Sequence, residues 1–413
     1  MTTKKPTSPA YQNSFFLIFT VMGISYLLQI ELGAFNFHLL SSPVNILIAA
    51  VLVLICSLGF IFPNNPIVRL LSTLPFAVTL LFTFLILGII MGLTPQKDTG
   101  IMGSILSKTG FSHMTASWPF VFTYALTLLS LGLLIARRLR NFRPFSFAFH
   151  LNHIGLWLLL LAAGLGYADQ RRFVMYPELD QGPEWRVYNS NNGFLELPIA
   201  IELNQFSMET YPAKIAIYSA EIDSAIPQTN PAFFQLEAGA TEFQIANWVI
   251  QVDTYFHEAA PDGANSFRHW PVVGSAPAAK VSVHNMVSDE TQAGWISSGS
   301  LKGVAQPYTT LQLDEDHALV MLPPEPKHFV SDITVYTPDE KPQRVHLTVN
   351  NPFTIGHWKL YQQGYDEAAG TLSIYSAIEL VYDPWIKLIY AGFGLLALGS
   401  FGMIWSGRKE KKT

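Results

Sequence analysis

The sequence predicts a polytopic α-helical membrane protein with six spanning helices and a large extracytoplasmic β-rich, sandwich-like domain between the fifth and sixth. Three observations predict it. Half of the 413 residues are apolar and only 13% are charged, against about 25% charged in an average soluble domain. Six stretches are long and apolar enough to cross a bilayer, which takes about 20 residues each. One long segment breaks that pattern and gathers 27 of the 30 acidic residues but only 11 of the 25 basic ones.

The predicted membrane domain, residues 1–168, holds five spans at 14–33, 44–62, 69–93, 118–137 and 148–168. The first lacks a small-residue cleavage site and a second span follows at once, so it reads as a retained helix rather than a signal peptide. Residues 384–413 supply the sixth span and a basic tail. Lys387 lies one turn inside that span and can snorkel to the interface, with Trp385 and Trp405 at the two aromatic belts.

Short loops set the orientation. Lys4 and Lys5 precede the first span, Arg69 follows the second, Arg137, Arg138, Arg140 and Arg143 follow the fourth, and Arg408, Lys409, Lys411 and Lys412 follow the sixth. Six crossings put all four groups on one side, which predicts both termini in the cytoplasm of an inner-membrane protein. Residues 169–383 are then extracytoplasmic. Within them ELPIAIEL, AKIAIYSAEI, FQIANWVIQVDTYF, AKVSVHN, HALVML, RVHLTV, HWKLYQQGY and LSIYSAIEL show period-two runs typical of strands. Turns such as PDG, NNG and TPDEKP separate them, and a β-sandwich or related antiparallel fold is the expected form.

Several functions are excluded. The net charge of −5 and the absence of a long basic stripe give no reason for nucleic-acid binding. Cys56 is the single cysteine, so an intrachain disulfide, C-x-x-C redox chemistry and a C-x-x-C-H haem attachment site are ruled out. Its position inside the second span suits a small packing residue. The insert's histidines have no H-E-x-x-H spacing, and no P-loop, G-x-S-x-G or G-x-G-x-x-G occurs.

Polar residues inside spans mark candidate sites, because they are costly at membrane depth. The fifth span opens FHLNHIGLW, with His150 and His153 spaced i, i+3 and Asn152 beside them. Neutral imidazole is a common ligand of haem iron, while histidines this close to an arginine-rich loop also suit a helix end among lipid headgroups. Two histidines on one helix face do not reach both faces of one haem. His153, further from the loop, is the expected axial ligand; His150 is a supporting cofactor-binding residue, and Arg143 and its neighbours suit propionates. A second axial ligand would come from another helix or another chain. His38 and His113, in short loops, are weaker candidates.

Three segments resemble the ResB (CcsB) family of system II cytochrome c biogenesis proteins. They are HIGLWLLLLAAGLGYAD with His153, GHWKLYQQGYD with Gly356, Tyr361, Gln362 and Tyr365, and the re-entry LVYDPWIKL with Asp383 and Pro384. Many family members have about four spans rather than six. The resemblance implies a subunit that handles haem b beside a ResC/CcsA-type integral membrane partner with a tryptophan-rich loop. It implies haem export and presentation to apocytochrome c for thioether attachment, as half of a synthase without a complete active site of its own. The alternative is a membrane-anchored β-domain that organises an envelope complex without touching haem. With Cys56 inside a span, no thiol relay to the apocytochrome runs through this chain.

Overall fold

The computed structural model describes residues 9–97, 105–140, 147–189, 193–236, 241–263, 266–300 and 306–410. Lys4, Lys5, Arg143, Lys411, Lys412 and the first two residues of the NNG turn lie outside them. Two compact units form: Met1–Arg171 with Tyr382–Thr413, and Arg172–Val381.

The first unit is helical. Its helices are α1 (Pro9–Leu32), α2 (Val44–Ile61), α3 (Pro66–Leu71), α4 (Leu74–Leu93), α5 (Trp118–Leu139), α6 (Phe147–Gly166) and α7 (Ile386–Glu410). All but α3 are long and apolar enough to cross a membrane, so this is a multi-pass membrane protein. The stretch 69–93 folds as two helices. Pro75 sits in the first turn of α4, where its missing N–H is no loss. The Ser72 and Thr73 hydroxyls donate back to the carbonyls of Val68 and Leu70 at 2.6 and 2.8 Å, closing α3 before α4 begins.

Burial in this unit is inverted relative to a soluble protein. Phe16, Phe19, Leu54 and Leu93 are exposed, while Ser14, Ser25, Gln29, Asn45, Thr79, Thr83 and Thr123 are buried. Lipid solvates the outer apolar side chains, and polar side chains face inward where partners exist. The Gln29 side-chain carbonyl, for example, accepts from the Trp118 backbone N–H at 3.1 Å. Cys56 is buried in α2 where it meets Gly132 of α5, and a Cβ at Gly132 would lie within 2.3 Å of its Sγ.

α6 and α7 cross antiparallel at backbone contact. A Cβ on Gly155 would stand 2.4 Å from the Leu396 nitrogen, one on Gly392 2.8 Å from the Leu159 nitrogen, and one on Gly399 2.2 Å from the Asn152 nitrogen. Small residues permit this approach, which dispersion and interhelical hydrogen bonds then stabilise. Asn152 supplies the latter, donating to the Ser400 hydroxyl at 2.7 Å and the Leu396 carbonyl at 3.3 Å.

The second unit is antiparallel β, inserted in the chain between α6 and α7. It contains two cores where the sequence suggested one sandwich. The outer sandwich pairs the sheet Arg171–Met175, Ser376–Tyr382, Trp358–Tyr365, Phe353–Ile355 with the sheet Gln343–Thr348, Pro326–Tyr336, Gly193–Thr210, Glu184–Asn189. Ile199, Ile201, Ile333, Val335, Leu347, Leu360 and Ile378 fill it. The inner sandwich is built from residues 214–321 and filled by Ile215, Ile217, Ile250, Val252, Val281, Ile296, Leu319 and Met321. One sandwich core serves about 100 residues, so an insert of this length divides. The outer sandwich is closed by the first and last strands of the insert, with the inner one nested between them in sequence.

The run FQIANWVIQVDTYF is a hairpin rather than one strand: Thr241–Ile245 pairs with Trp248–Pro261. Ala246, at φ +51°, and Asn247 make the two-residue turn. The long strand Pro326–Tyr336 was not marked by alternation, because Ser331, Asp332 and Ile333 are buried in succession, opposite a bulge at Asn204 of the partner strand Gly193–Thr210.

At that bulge Asp332 is buried and takes a forked pair of bonds from Arg344, at 3.0 Å from Nε and 2.5 Å from Nη2. Those hydrogen bonds hold its carboxyl below the usual carboxylate range, against the pull of burial. A depressed folded-state value adds stability above the ordinary carboxylate pKa, and that stability is lost as pH falls through the folded value. The insert is therefore expected to lose thermal stability below about pH 4. Asp332→Asn is expected to be less stable at neutral pH with a flatter acid limb, as melting followed by circular dichroism across pH would show. An unchanged acid limb would remove Asp332 from the account.

Candidate functional site

α6 brings His150 and His153 together on one stretch of helix but gives them different surroundings. The 60° between positions i and i+3 turns His150 into the bundle, where it is 3% exposed. His153 is half-buried on the flank of α6. It stacks on Phe149 with ring centroids 3.7 Å apart, and the Arg138 guanidinium lies over the same Phe149 ring, 4.1 Å from its centroid. Arg138 of α5, Phe149 and His153 thus form one layered stack.

The hydrogen bond of His153 sets its chemistry. Nδ1 lies 2.9 Å from the Phe149 carbonyl oxygen. A carbonyl only accepts, so Nδ1 carries the proton, and in the neutral imidazole Nε2 then presents a lone pair. Metal-ligating histidines are oriented in this way, by a backbone acceptor on the other ring nitrogen. A haem-iron ligand needs such a lone pair, and Arg138 places a cation over the adjoining Phe149 ring. His150 belongs to the packed interior and edges against Phe149, ring centroids 5.6 Å apart.

Two other described arginines of this segment are engaged elsewhere. Arg140 donates to the carbonyls of Phe60 and Ile61 at 3.2 Å each, capping the end of α2. Arg137 donates to the Ser72 hydroxyl. Sequence proximity placed the whole arginine cluster at the histidines; Arg143 lies outside the described residues, and of Arg137, Arg138 and Arg140 it is Arg138 that lies over Phe149.

The remaining histidines are dispersed. His38 is exposed in the short turn Phe37–Leu40. His257 contacts the Thr210 and Tyr255 hydroxyls at 3.1 and 3.2 Å, and His317 pairs with Asp314 at 2.9 Å. Among the described residues no group of three or more His, Cys, Asp or Glu could hold a metal ion.

A second constellation went unmarked by the sequence. Asp169, just past α6, accepts from the Ser42 backbone N–H at 2.7 Å, the Asn45 amide at 2.7 Å and the Trp385 indole at 2.8 Å. Burial raises its carboxyl's affinity for a proton, but these donors outweigh that and hold it below the usual carboxylate range. The knot ties the mouths of α2, α6 and α7. One signal was present, namely that Asp169 ends the resemblance segment HIGLWLLLLAAGLGYAD.

The motif residues of the late insert are also structural. Gly356 takes φ +59° in the turn before the strand Trp358–Tyr365, a conformation open to glycine. Gln362 is buried and donates to the Ser376 hydroxyl at 2.9 Å, and the Ser331 hydroxyl donates to that of Ser376 at 2.8 Å, joining the two sheets of the outer sandwich. Tyr365 packs on Phe206 and Phe329, with centroids at 5.5 and 4.9 Å. Asp383 accepts from the Trp385 N–H at 3.0 Å, starting the turn into α7.

Residues 280–377 match the model of the ResB-like family. ResB is a cytochrome c biogenesis family, so the match supports a role for this chain in that process. The ResB-like segment contains Gly356, Tyr361, Gln362 and Tyr365, and it begins well before them, in the inner sandwich. His153, Asp383 and Pro384 lie outside it. No curated protein matches the chain. Among solved structures, a cytochrome c haem lyase, CcmF, is similar at 11% identity over 79% of this chain and 34% of that one. The TM-score is 0.18, too low to show a shared fold, and this chain spans about a third of that structure's length.

Proposed function

We propose that this chain is the haem-handling half of a cytochrome c synthase. In this reading it lies in the inner membrane with both termini cytoplasmic and the insert outside. Beside a ResC/CcsA-type partner it carries haem b across and helps present it to apocytochrome c. The ResB-like match in the insert is the observation that carries the reading. The arrangement at His153 supports it, because haem iron needs a neutral imidazole lone pair and Nδ1 is already committed to Phe149.

Each residue has a stated task. His153 supplies one axial nitrogen, Phe149 orients its ring, and Arg138 offsets propionate charge. His150 keeps α6 packed. The second axial ligand comes from the partner. The tethered insert holds the apocytochrome segment near the exit, by strand addition at an open sheet edge.

An absorbance spectrum of the purified chain, alone and co-expressed with a ResC/CcsA-type partner, tests this. A Soret band that co-purifies with the pair is the expected result. A haem-free pair that still associates would favour the scaffolding alternative.

A further inference from the structure

The outer sandwich carries an exposed aromatic cluster that neither the packing nor the haem reading uses. Trp185, Tyr188 and Phe194 are 43%, 64% and 73% exposed. Tyr188 and Phe194 are cross-strand neighbours, with ring centroids 6.3 Å apart and edge to face. Arg186 lies over both Trp185 and Phe194, at 5.4 and 5.7 Å, and is paired with Glu184 at 2.9 Å. Tyr188 also lines a shallow cleft with Arg172, Val174 and Glu379.

The chain limits how far this cluster can be from a bilayer. Arg172 is six residues beyond Gly166, the last residue of α6. Fully extended, that linker reaches about 20 Å. The neighbouring strand Ser376–Tyr382 ends four residues before α7 begins. Both ends of the insert are therefore tied close to the ends of two spans, and the cluster shares a cleft with one of them.

The chemistry names the occupant. Apolar side chains on a soluble surface are usually scattered singly, whereas tyrosine and tryptophan gather at the membrane–water boundary, body in the apolar layer and polar tip in water. Glu184 and Glu196 both flank Arg186 and leave the cluster without excess positive charge, so partition of the rings, rather than attraction to anionic lipid, would hold it. We infer that the face bearing Trp185, Arg186, Tyr188 and Phe194 rests in the lipid headgroup layer and anchors the insert to the membrane surface. This restricts the insert's swing about its two tethers and does not depend on the haem reading.

Spin labels test it in the full chain. Cys56→Ser gives a cysteine-free background, and single cysteines are placed at Tyr188, Phe194 and, as an exposed control, Val287, which is 77% exposed. The labelled proteins are reconstituted in phosphatidylcholine–phosphatidylglycerol vesicles, and collisions with oxygen and with a water-soluble nickel chelate are compared. Labels at 188 and 194 are expected to show an oxygen-to-nickel ratio several-fold above that at 287. Equal ratios at all three sites would overturn the anchor, placing the cluster in water. Shielding of 188 and 194 from both reagents would overturn it too, assigning the face to protein.

Discussion

His153→Ala is expected to cut the haem that co-purifies with the partnered complex by at least about ten-fold, since changes even one shell out from a metal cost 10–100-fold in affinity. Cytochrome c yield should fall with it, while the protein stays in the membrane: His153 is half-buried on the flank of α6, and its hydrogen bond and its ring stacking are both to Phe149 of the same helix. Exogenous imidazole is the ring that the substitution removes and should restore part of the yield. His150→Ala makes a contrasting prediction. It removes a 3% exposed side chain from a packed interior, so it should lower the amount of folded protein but not the haem bound per folded molecule. Haem content is read from the Soret band against protein concentration. Wild-type haem in His153→Ala would end the ligand assignment and leave only the scaffold resemblance.

Gly155→Leu is expected to remove most of the protein from the membrane fraction. A Cβ at this position meets the Leu396 nitrogen at 2.4 Å and the Gly392 carbonyl oxygen at 2.8 Å. Both are backbone atoms, so no rotamer change relieves the clash and α6 and α7 must separate. Overpacking usually costs about 1–3 kcal/mol, and a backbone clash lies at or beyond the top of that range. Separation would also break the bonds from Asn152 to Leu396 and Ser400, interhelical contacts worth about 0.6 kcal/mol each. Gly394→Leu is the control, because a Cβ there meets nothing within 4 Å. Steady-state abundance on immunoblots and melting in detergent both read the difference. A Gly155→Leu protein as abundant and as stable as the control would show that the close crossing is dispensable.

These two variants separate what could be read from the chain and what could not. The six spans were legible because a bilayer demands about 20 consecutive apolar residues, a local property of sequence. The β character of the insert was legible because a half-buried strand alternates. Alternation failed where the backbone departs from regular pairing, as at the bulge beside Asp332 and the turn at Ala246. The division of the insert into nested sandwiches was hidden because strands at its two ends share a sheet, and no local pattern records that partnership.

The site follows the same rule. Sequence determined that two histidines share one stretch of α6, because spacing along a helix is local. Only the tertiary structure decided that His150 faces the bundle while His153 stacks on the Phe149 ring that Arg138 of α5 also covers. That decision rests on how α5 docks beside α6, and docking is set by contacts far apart in sequence. Asp169 is the clearest case. As a lone acidic residue after a span it carried no signal, yet it accepts from Ser42, Asn45 and Trp385, the last 216 positions away. A carboxylate's role depends on which donors converge on it, and convergence is a property of the folded chain.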